Sequence, residues 1–200
     1  WAMFDELYIA KSVREKTAKD YRQIAAKNIL PKLGKRNLDE VERVEVVRLI
    51  DHVATRAPIL ANRTLGLLKQ FFDWAIGRGD IAMNPALGIP KAMKETPRER
   101  ILSLTEMRKI YSAAGHLSPA NKLFIQMLLL TGQRAGVIAK LCRNEWLHDH
   151  LEIAGERNKS GERILVPLSA LAQKKLAKVS HTNGSFLVST TNGLKPISGF

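Results

Sequence analysis

Leu128-Leu129-Leu130-Thr131-Gly132-Gln133-Arg134 closes an apolar stretch that begins near Phe124. The leucines predict a helix that is apolar nearly all round late in its course, and therefore buried. Gly132 breaks that helix, and Arg134 opens a short helix expected over residues 134–141. The planar fork of an arginine matches two phosphate oxygens, and a helix opening adds backbone donors and a favourable dipole. On its own, Thr-Gly-x-Arg fits a surface cation at a turn equally well.

Downstream, Leu151 to Ala154 and Ile164 to Leu168 are strand candidates flanking the turn Asn158-Lys159-Ser160-Gly161. A lysine near a hairpin tip is ordinarily solvated. Beside a phosphate, Lys159 can act as a cation or as a proton donor to an alkoxide leaving group. Ser169 can cap a helix running to about Val179, and Phe186 to Ser189 offers a further strand. Upstream, Ser103 or Thr105 can cap a helix carrying Met107, Ile110, Tyr111 and Ala114. A second helix is expected from about Pro119 to Leu130.

The first part of the chain reads as helices. Phe4 to Lys11 is a short one. Lys16 to Ile29 places Ala18, Tyr21, Ile24, Ala25 and Ile29 at helical spacing, with Lys19, Arg22, Gln23 and Lys27 opposite, and Pro31 and Gly34 are expected to stop it. Asp39 with Glu42 reads as a capping box before a stripe of Val46, Val47, Ile50, Val53 and Ala54. A further helix follows Pro58, with Ala61, Leu65, Leu68, Phe71, Phe72, Ala75 and Ile76 inward and Asn62, Arg63, Lys69 and Gln70 elsewhere on its circumference. Asn84-Pro85 ends this unit. Residues 89–100 hold Pro90 and Pro97, alternate in charge and read as a linker.

The 200 residues suffice for one large or two small domains with real cores. Hydrophobic content of 45% with 26% charged residues is that of a folded protein. Lys+Arg number 32 against 19 Asp+Glu, a net charge of +13 that points to a polyanion partner. The run from Phe124 to Leu130 is interrupted by Gln126 and is far shorter than the roughly 20 residues that span a bilayer, so no membrane association is expected. Trp1 to Leu7 carries two acids and no basic leader, so no signal peptide is expected. Cys142 is the sole cysteine, which excludes an internal disulfide and fits a reducing cytoplasm. His148 and His150 form the one close histidine pair and lack a third ligand nearby, so they read as loop surface and no metal or cofactor is expected.

The order of these segments resembles that of the tyrosine recombinases, and most of all the phage-type integrases. Leu128 to Arg134, followed by Ile153-Ala154-Gly155-Glu156-Arg157-Asn158-Lys159-Ser160-Gly161 and onward to Ser169, is similar to the family's catalytic domain. Thr17-Ala18-Lys19-Asp20-Tyr21 with Ile29-Leu30-Pro31-Lys32-Leu33-Gly34 resembles the start of its helical core-binding domain. Ala61-Asn62-Arg63, Phe72-Asp73-Trp74-Ala75 and Asn84-Pro85-Ala86 resemble the close of that domain, and Pro97 to Ser103 the approach to the catalytic one.

The resemblance implies a mainly α chain. A helical core-binding (SAM-like) domain, residues 1–88, precedes a linker, 89–100. The first part of an α+β tyrosine-recombinase catalytic domain, with a small antiparallel β-hairpin sheet, follows over 101–200. It implies DNA cleavage and rejoining through a 3′-phosphotyrosine intermediate, with neither ATP nor metal. In it Arg134 matches the first catalytic arginine, which clamps the non-bridging oxygens, and Lys159 the hairpin lysine that protonates the leaving oxygen. Implied partners are double-stranded DNA at attachment-type sites, further copies in a tetramer, and DNA-bending accessory proteins. The family's His-x-x-Arg motif and nucleophilic tyrosine fall beyond Phe200, so residues 1–200 are expected to bind DNA without cleaving it.

Two departures stand out: Val137 where many relatives carry a carboxylate, and Ala135 where many carry a basic residue. Lys19, Lys27, Arg63, Lys69, Arg98 and Arg100 are candidate phosphate contacts, each of which is singly also an ordinary solvated charge. The same scaffold could instead serve a non-catalytic DNA-binding or architectural protein, and a generic RNA-binding helical protein lacks a base-stacking strand motif.

Overall fold

The structure, a computed structural model, describes residues 1–97, 99–158, 161–179 and 184–200. The chain forms two compact units, residues 1–98 and 99–200, each with its own apolar core.

The first unit is helical. Helix α1 covers residues 2–12 and contains a π-helical turn, Asp5–Ile9; helix α2 covers 15–33 and contains another, Ala25–Ile29. Helices α3, Arg43–Ala54, and α4, Pro58–Gly77, pack on one another. Pro31 does not stop α2. Just before it the Leu30 N–H reaches back five residues to the Ala25 carbonyl. That wider turn makes room for the proline ring, which would otherwise press on the preceding turn. The α3 cap is Glu42, whose N–H donates to Glu45 Oε2 at 3.0 Å. Asp39 lies instead in a 3₁₀ turn, Leu38–Glu40. The half-buried Val41, extended and packed against the core, sets the later start. The core gathers Phe4 and Ile9 of α1, Ile29 of α2, Val46, Leu49, Ile50 and Val53 of α3, and Leu65, Leu67, Leu68 and Phe72 of α4. Ile76, expected inside, is exposed, and Asn62, expected outside, is buried.

That buried asparagine explains why the stretch after Pro85 is ordered. Ala86 and Ile89 join the core, and Lys69 Nζ donates to the Ile89 carbonyl at 2.9 Å. Asn62 Nδ2 donates to the Met93 carbonyl at 2.8 Å and to Glu95 Oε1 at 3.1 Å, while its Oδ1 accepts the Ala92 N–H at 2.8 Å. The first half of the stretch that composition marks as linker is thus a strap bound along α4. Asn62→Leu strands these groups, at about 1–3 kcal/mol for each one that water does not reach. The expected result is trypsin cleavage after Lys91 and Lys94 at least about tenfold faster than in wild type, since local opening governs such cleavage. Unchanged cleavage at both lysines would show that the strap is held by other contacts.

In the second unit, α5, Leu104–Ala113, starts at Ser103, whose Oγ accepts the Glu106 N–H at 3.2 Å while Glu106 Oε2 accepts the Ser103 N–H at 2.8 Å. The Ser103 N–H, followed by the Arg100 guanidinium, holds the Glu106 carboxyl below the usual carboxylate range. Helix α6, Pro119–Thr131, packs against α5, the short α7, Ala135–Ala139, and α8, Ala170–Ala177. Ser169 caps α8 by accepting the Ala172 N–H.

Strands β1, His150–Ile153, and β2, Ile164–Pro167, pair antiparallel, with Leu151 opposite Val166 and Ile153 opposite Ile164. A lone hairpin is marginal in water. This one is held by burying Leu151, Ile153 and Val166 against Leu123, Phe124 and Met127 of α6 and their neighbours. Phe186 to Ser189 does not form a strand. It makes an isolated bridge with Cys142, and the Leu187 N–H donates to the Leu141 carbonyl.

Candidate functional site

The apolar face of α6 fixes where its end points. Thr131 Oγ1 donates to the Met127 carbonyl at 2.7 Å, and Gly132, at φ +63°, turns the chain in the left-handed conformation that suits glycine. Arg134 follows as the N-cap of α7, and its carbonyl accepts from the Val137 and Ile138 N–H groups. Helix α7 has only five residues, shorter than the 134–141 expected, so its dipole adds little. The Arg134 side chain is exposed, and its Nη1 donates to Asn158 Oδ1 at 3.2 Å.

Asn158 is 4% exposed and ties the loop between the strands together. Its Nδ2 donates to the Glu162 carbonyl at 3.0 Å, its N–H to the Gly155 carbonyl, and its carbonyl accepts from the Gly161 N–H. The two arms of the loop come so close at Gly155 that a Cβ there would lie 2.1 Å from the Gly161 carbonyl oxygen, so only glycine fits. Lys159 lies outside the described residues, but its chain neighbour is the residue that meets Arg134.

Below the helix, Val137 is buried and offers no carboxylate; its carbonyl accepts from Arg157 Nη2 at 3.2 Å. Arg157 Nη1 pairs with Glu145 Oε1, and Glu145 Oε2 accepts the Cys142 N–H at 2.8 Å. Burial, then the Glu145 charge, pushes the Cys142 thiol up from its ordinary value. The three tyrosines are engaged: Tyr8 Oη accepts from Gln70 Nε2 at 2.8 Å, Tyr21 packs against the first core, and the Tyr111 ring faces Lys175 Nζ at 5.5 Å.

In the first unit, Lys27, Arg63 and Lys69 line one open groove of about 1340 Å³ together with Lys91. Lys27 and Lys91 are exposed. Arg63 pairs with Glu95 at 2.9 Å, and Lys69 is bonded to the Ile89 carbonyl. An exposed pair such as Arg63–Glu95 is worth little in water, so a phosphate can take the carboxylate's place. Lys19 is exposed but is not part of the groove lining. In the second unit Arg100 is exposed and pairs with Glu106 at 2.7 Å. Arg98 lies outside the described residues. Three residues escaped the sequence reading: Asn158, which turn propensity disguises, Lys91, which sits in apparent linker, and Arg157, whose buried partner Glu145 is twelve positions away in the chain.

The phage integrase central domain matches residues 3–92. The integrase of Escherichia phage HK022 is 31% identical over 170 residues, an alignment that covers 83% of this chain and 46% of that relative, so the chain spans about half the relative's length. The crystal structure of a lambda integrase dimer bound to a COC′ core site superposes with a TM-score of 0.80 at 22% identity, covering 98% of this chain and 74% of that one. That of a lambda integrase tetramer bound to a Holliday junction gives 0.78 at 22% identity, covering 98% and 60%. From the matched central domain, the sequence relationship and the common fold, the chain belongs to the phage integrases of the tyrosine recombinase family.

Proposed function

We propose that the chain takes part in site-specific DNA recombination, the first unit gripping duplex DNA and the second clamping a scissile phosphate. The observation that carries this reading is the Arg134–Asn158 contact, which brings the arginine to the residue beside Lys159. In the reaction a tyrosine oxygen bonds to phosphorus as the bond from phosphorus to the 5′ oxygen breaks. The electron pair of the broken bond goes to that oxygen, which takes a proton from the Lys159 ammonium; the phenolic proton passes to solvent. Arg134 holds the two non-bridging oxygens where charge develops. One phosphodiester replaces another, so no nucleoside triphosphate is consumed.

Tyr8, Tyr21 and Tyr111 are occupied in packing or hydrogen bonding. None is proposed as the nucleophile, so residues 1–200 bind DNA without forming a covalent adduct. The whole protein is proposed to assemble on DNA as the lambda integrase dimer and tetramer do. A binding role without catalysis is the second reading, favoured by the missing carboxylate at Val137. In that case the full-length protein would bind duplex DNA and never form an adduct on a nicked duplex.

The groove supplies the test of the first unit. Duplex affinity should fall with salt, and Lys27→Ala with Lys91→Ala should flatten the log–log salt slope by about 2, roughly one for each lost phosphate contact. Affinity insensitive to salt, or a slope untouched by both substitutions, would remove the groove from the DNA interface. A covalent adduct between residues 1–200 and a nicked duplex would overturn the claim that no tyrosine here is the nucleophile.

A further inference from the structure

Arg157 holds one end of the active-site helix while its neighbour holds the other. Its Nη2 donates to the Val137 carbonyl in the last turn of α7, and its Nη1 pairs with Glu145. Asn158, the next residue, accepts from Arg134 at the start of the same helix. A five-residue helix does not persist by its own hydrogen bonds, and its terminal carbonyls call for a cation. Glu145 is 8% exposed, and its two oxygens take the Arg157 guanidinium and the Cys142 amide. Removing either member of such a pair leaves an uncompensated buried charge. The residue after Asn158 in the chain is Lys159.

We propose that Arg157, with Glu145 as its buried counter-ion, is a positioning residue for DNA cleavage: it fixes the helix that Arg134 opens against the loop that carries Lys159. It does from the loop side what a carboxylate at position 137 would do from the helix. The assignment rests on the reading above that Arg134 and Lys159 act on one phosphate. Protonation of the leaving oxygen needs the ammonium within hydrogen-bond reach, about 2.6–3.2 Å. A displacement of about 1 Å can cost roughly a hundredfold in rate.

Arg157→Lys separates this role from folding, because a lysine keeps the charge beside Glu145 but lacks the second arm of the fork that holds the Val137 carbonyl. In residues 1–200, amide hydrogen exchange should rise together over 136–141 and 155–158, about tenfold or more for Arg157→Ala. It should rise in the same two segments, with little loss of Tm, for Arg157→Lys. In the full-length enzyme, single-turnover cleavage of a nicked duplex at saturating protein is compared for two substrates: the ordinary phosphodiester, and one with sulfur in place of the bridging 5′ oxygen. A thiolate leaves without a proton.

Arg157→Lys should slow the oxygen ester by roughly a hundredfold, keep duplex affinity within about threefold, and cleave the sulfur ester within about fivefold of wild type. Equal losses on both esters, a wild-type rate on the oxygen ester, or exchange that rises only at 155–158 would overturn the role of Arg157. A wild-type full-length protein that cleaves neither ester would overturn the recombinase reading itself, and with it the reaction Arg157 is assigned to.

Discussion

Under the proposed function, Arg134→Ala in the whole protein should lower the single-turnover cleavage rate by about a thousandfold or more and leave duplex affinity within about fivefold. The asymmetry follows from what one arginine can do. Binding is shared among many phosphate contacts, so the loss of one is diluted. Cleavage concentrates charge on the non-bridging oxygens of a single phosphate, where a fork with two parallel N–H donors acts most strongly in the transition state. Arg134 is placed for this role: it is exposed, it follows the Gly132 turn, and its described side-chain hydrogen bond, to Asn158, uses Nη1. Arg134→Lys should recover little of the rate, because a point charge restores attraction without the bidentate geometry. Cleavage on a nicked duplex and a gel-shift titration at one salt concentration check both halves. An Arg134→Ala enzyme that cleaves near the wild-type rate would remove Arg134 from the phosphate clamp.

The parts of this structure that were legible in the sequence are those decided locally. Ser103 and Ser169 cap their helices because a serine hydroxyl needs only an amide two or three residues on. Gly132 ends α6 because its own φ requires it. The hairpin follows from alternating apolar residues on two short segments. The misread parts are those decided at a distance. Pro31 is an interruption only while the preceding turn keeps α-helical spacing, and a π turn is invisible in residue type. The strap over α4 looks like linker because one asparagine of α4, about thirty residues earlier in the chain, does the work that an apolar run does elsewhere. The same division runs through the site. Arg134 announces itself by its place after a glycine break, but Asn158 reads as an ordinary turn residue until Arg134 is seen beside it. Val137 shows in the sequence only that a carboxylate is lacking; that its carbonyl accepts from Arg157 is visible only in the fold.

Phe4→Ala should destabilise the first unit by about 3–5 kcal/mol, a loss on the order of 15–25 °C in Tm for a unit of this size. Phe4 is 0% exposed. Its ring stacks on Tyr8 at 5.1 Å and meets Trp1, Phe71 and Trp74 edge-on at 5.3–5.4 Å. Those four partners are each only partly buried, so the cluster has no second centre on which to collapse when Phe4 is removed. The cavity therefore persists, which is the condition under which truncation of an aromatic side chain costs most. The exposed Arg22–Asp5 pair that also ties α1 to α2 is too solvated to compensate. Phe4→Leu keeps much of the volume and should lose clearly less than the alanine variant. If the groove grips duplex DNA as proposed, the consequence reaches DNA binding, because α1 carries Tyr8, which lines the groove and accepts from Gln70 of α4. As α1 loosens, the groove loses one wall, and duplex affinity should fall although no basic residue has been changed. Calorimetry, hydrogen exchange over residues 2–12 and a duplex titration read the three steps in turn. A Phe4→Ala protein that melts within about 5 °C of wild type, the shift that only about 1 kcal/mol would produce, would mean that α1 is not anchored through this ring. An unstable variant that kept full duplex affinity below its Tm would separate α1 from the DNA-binding groove.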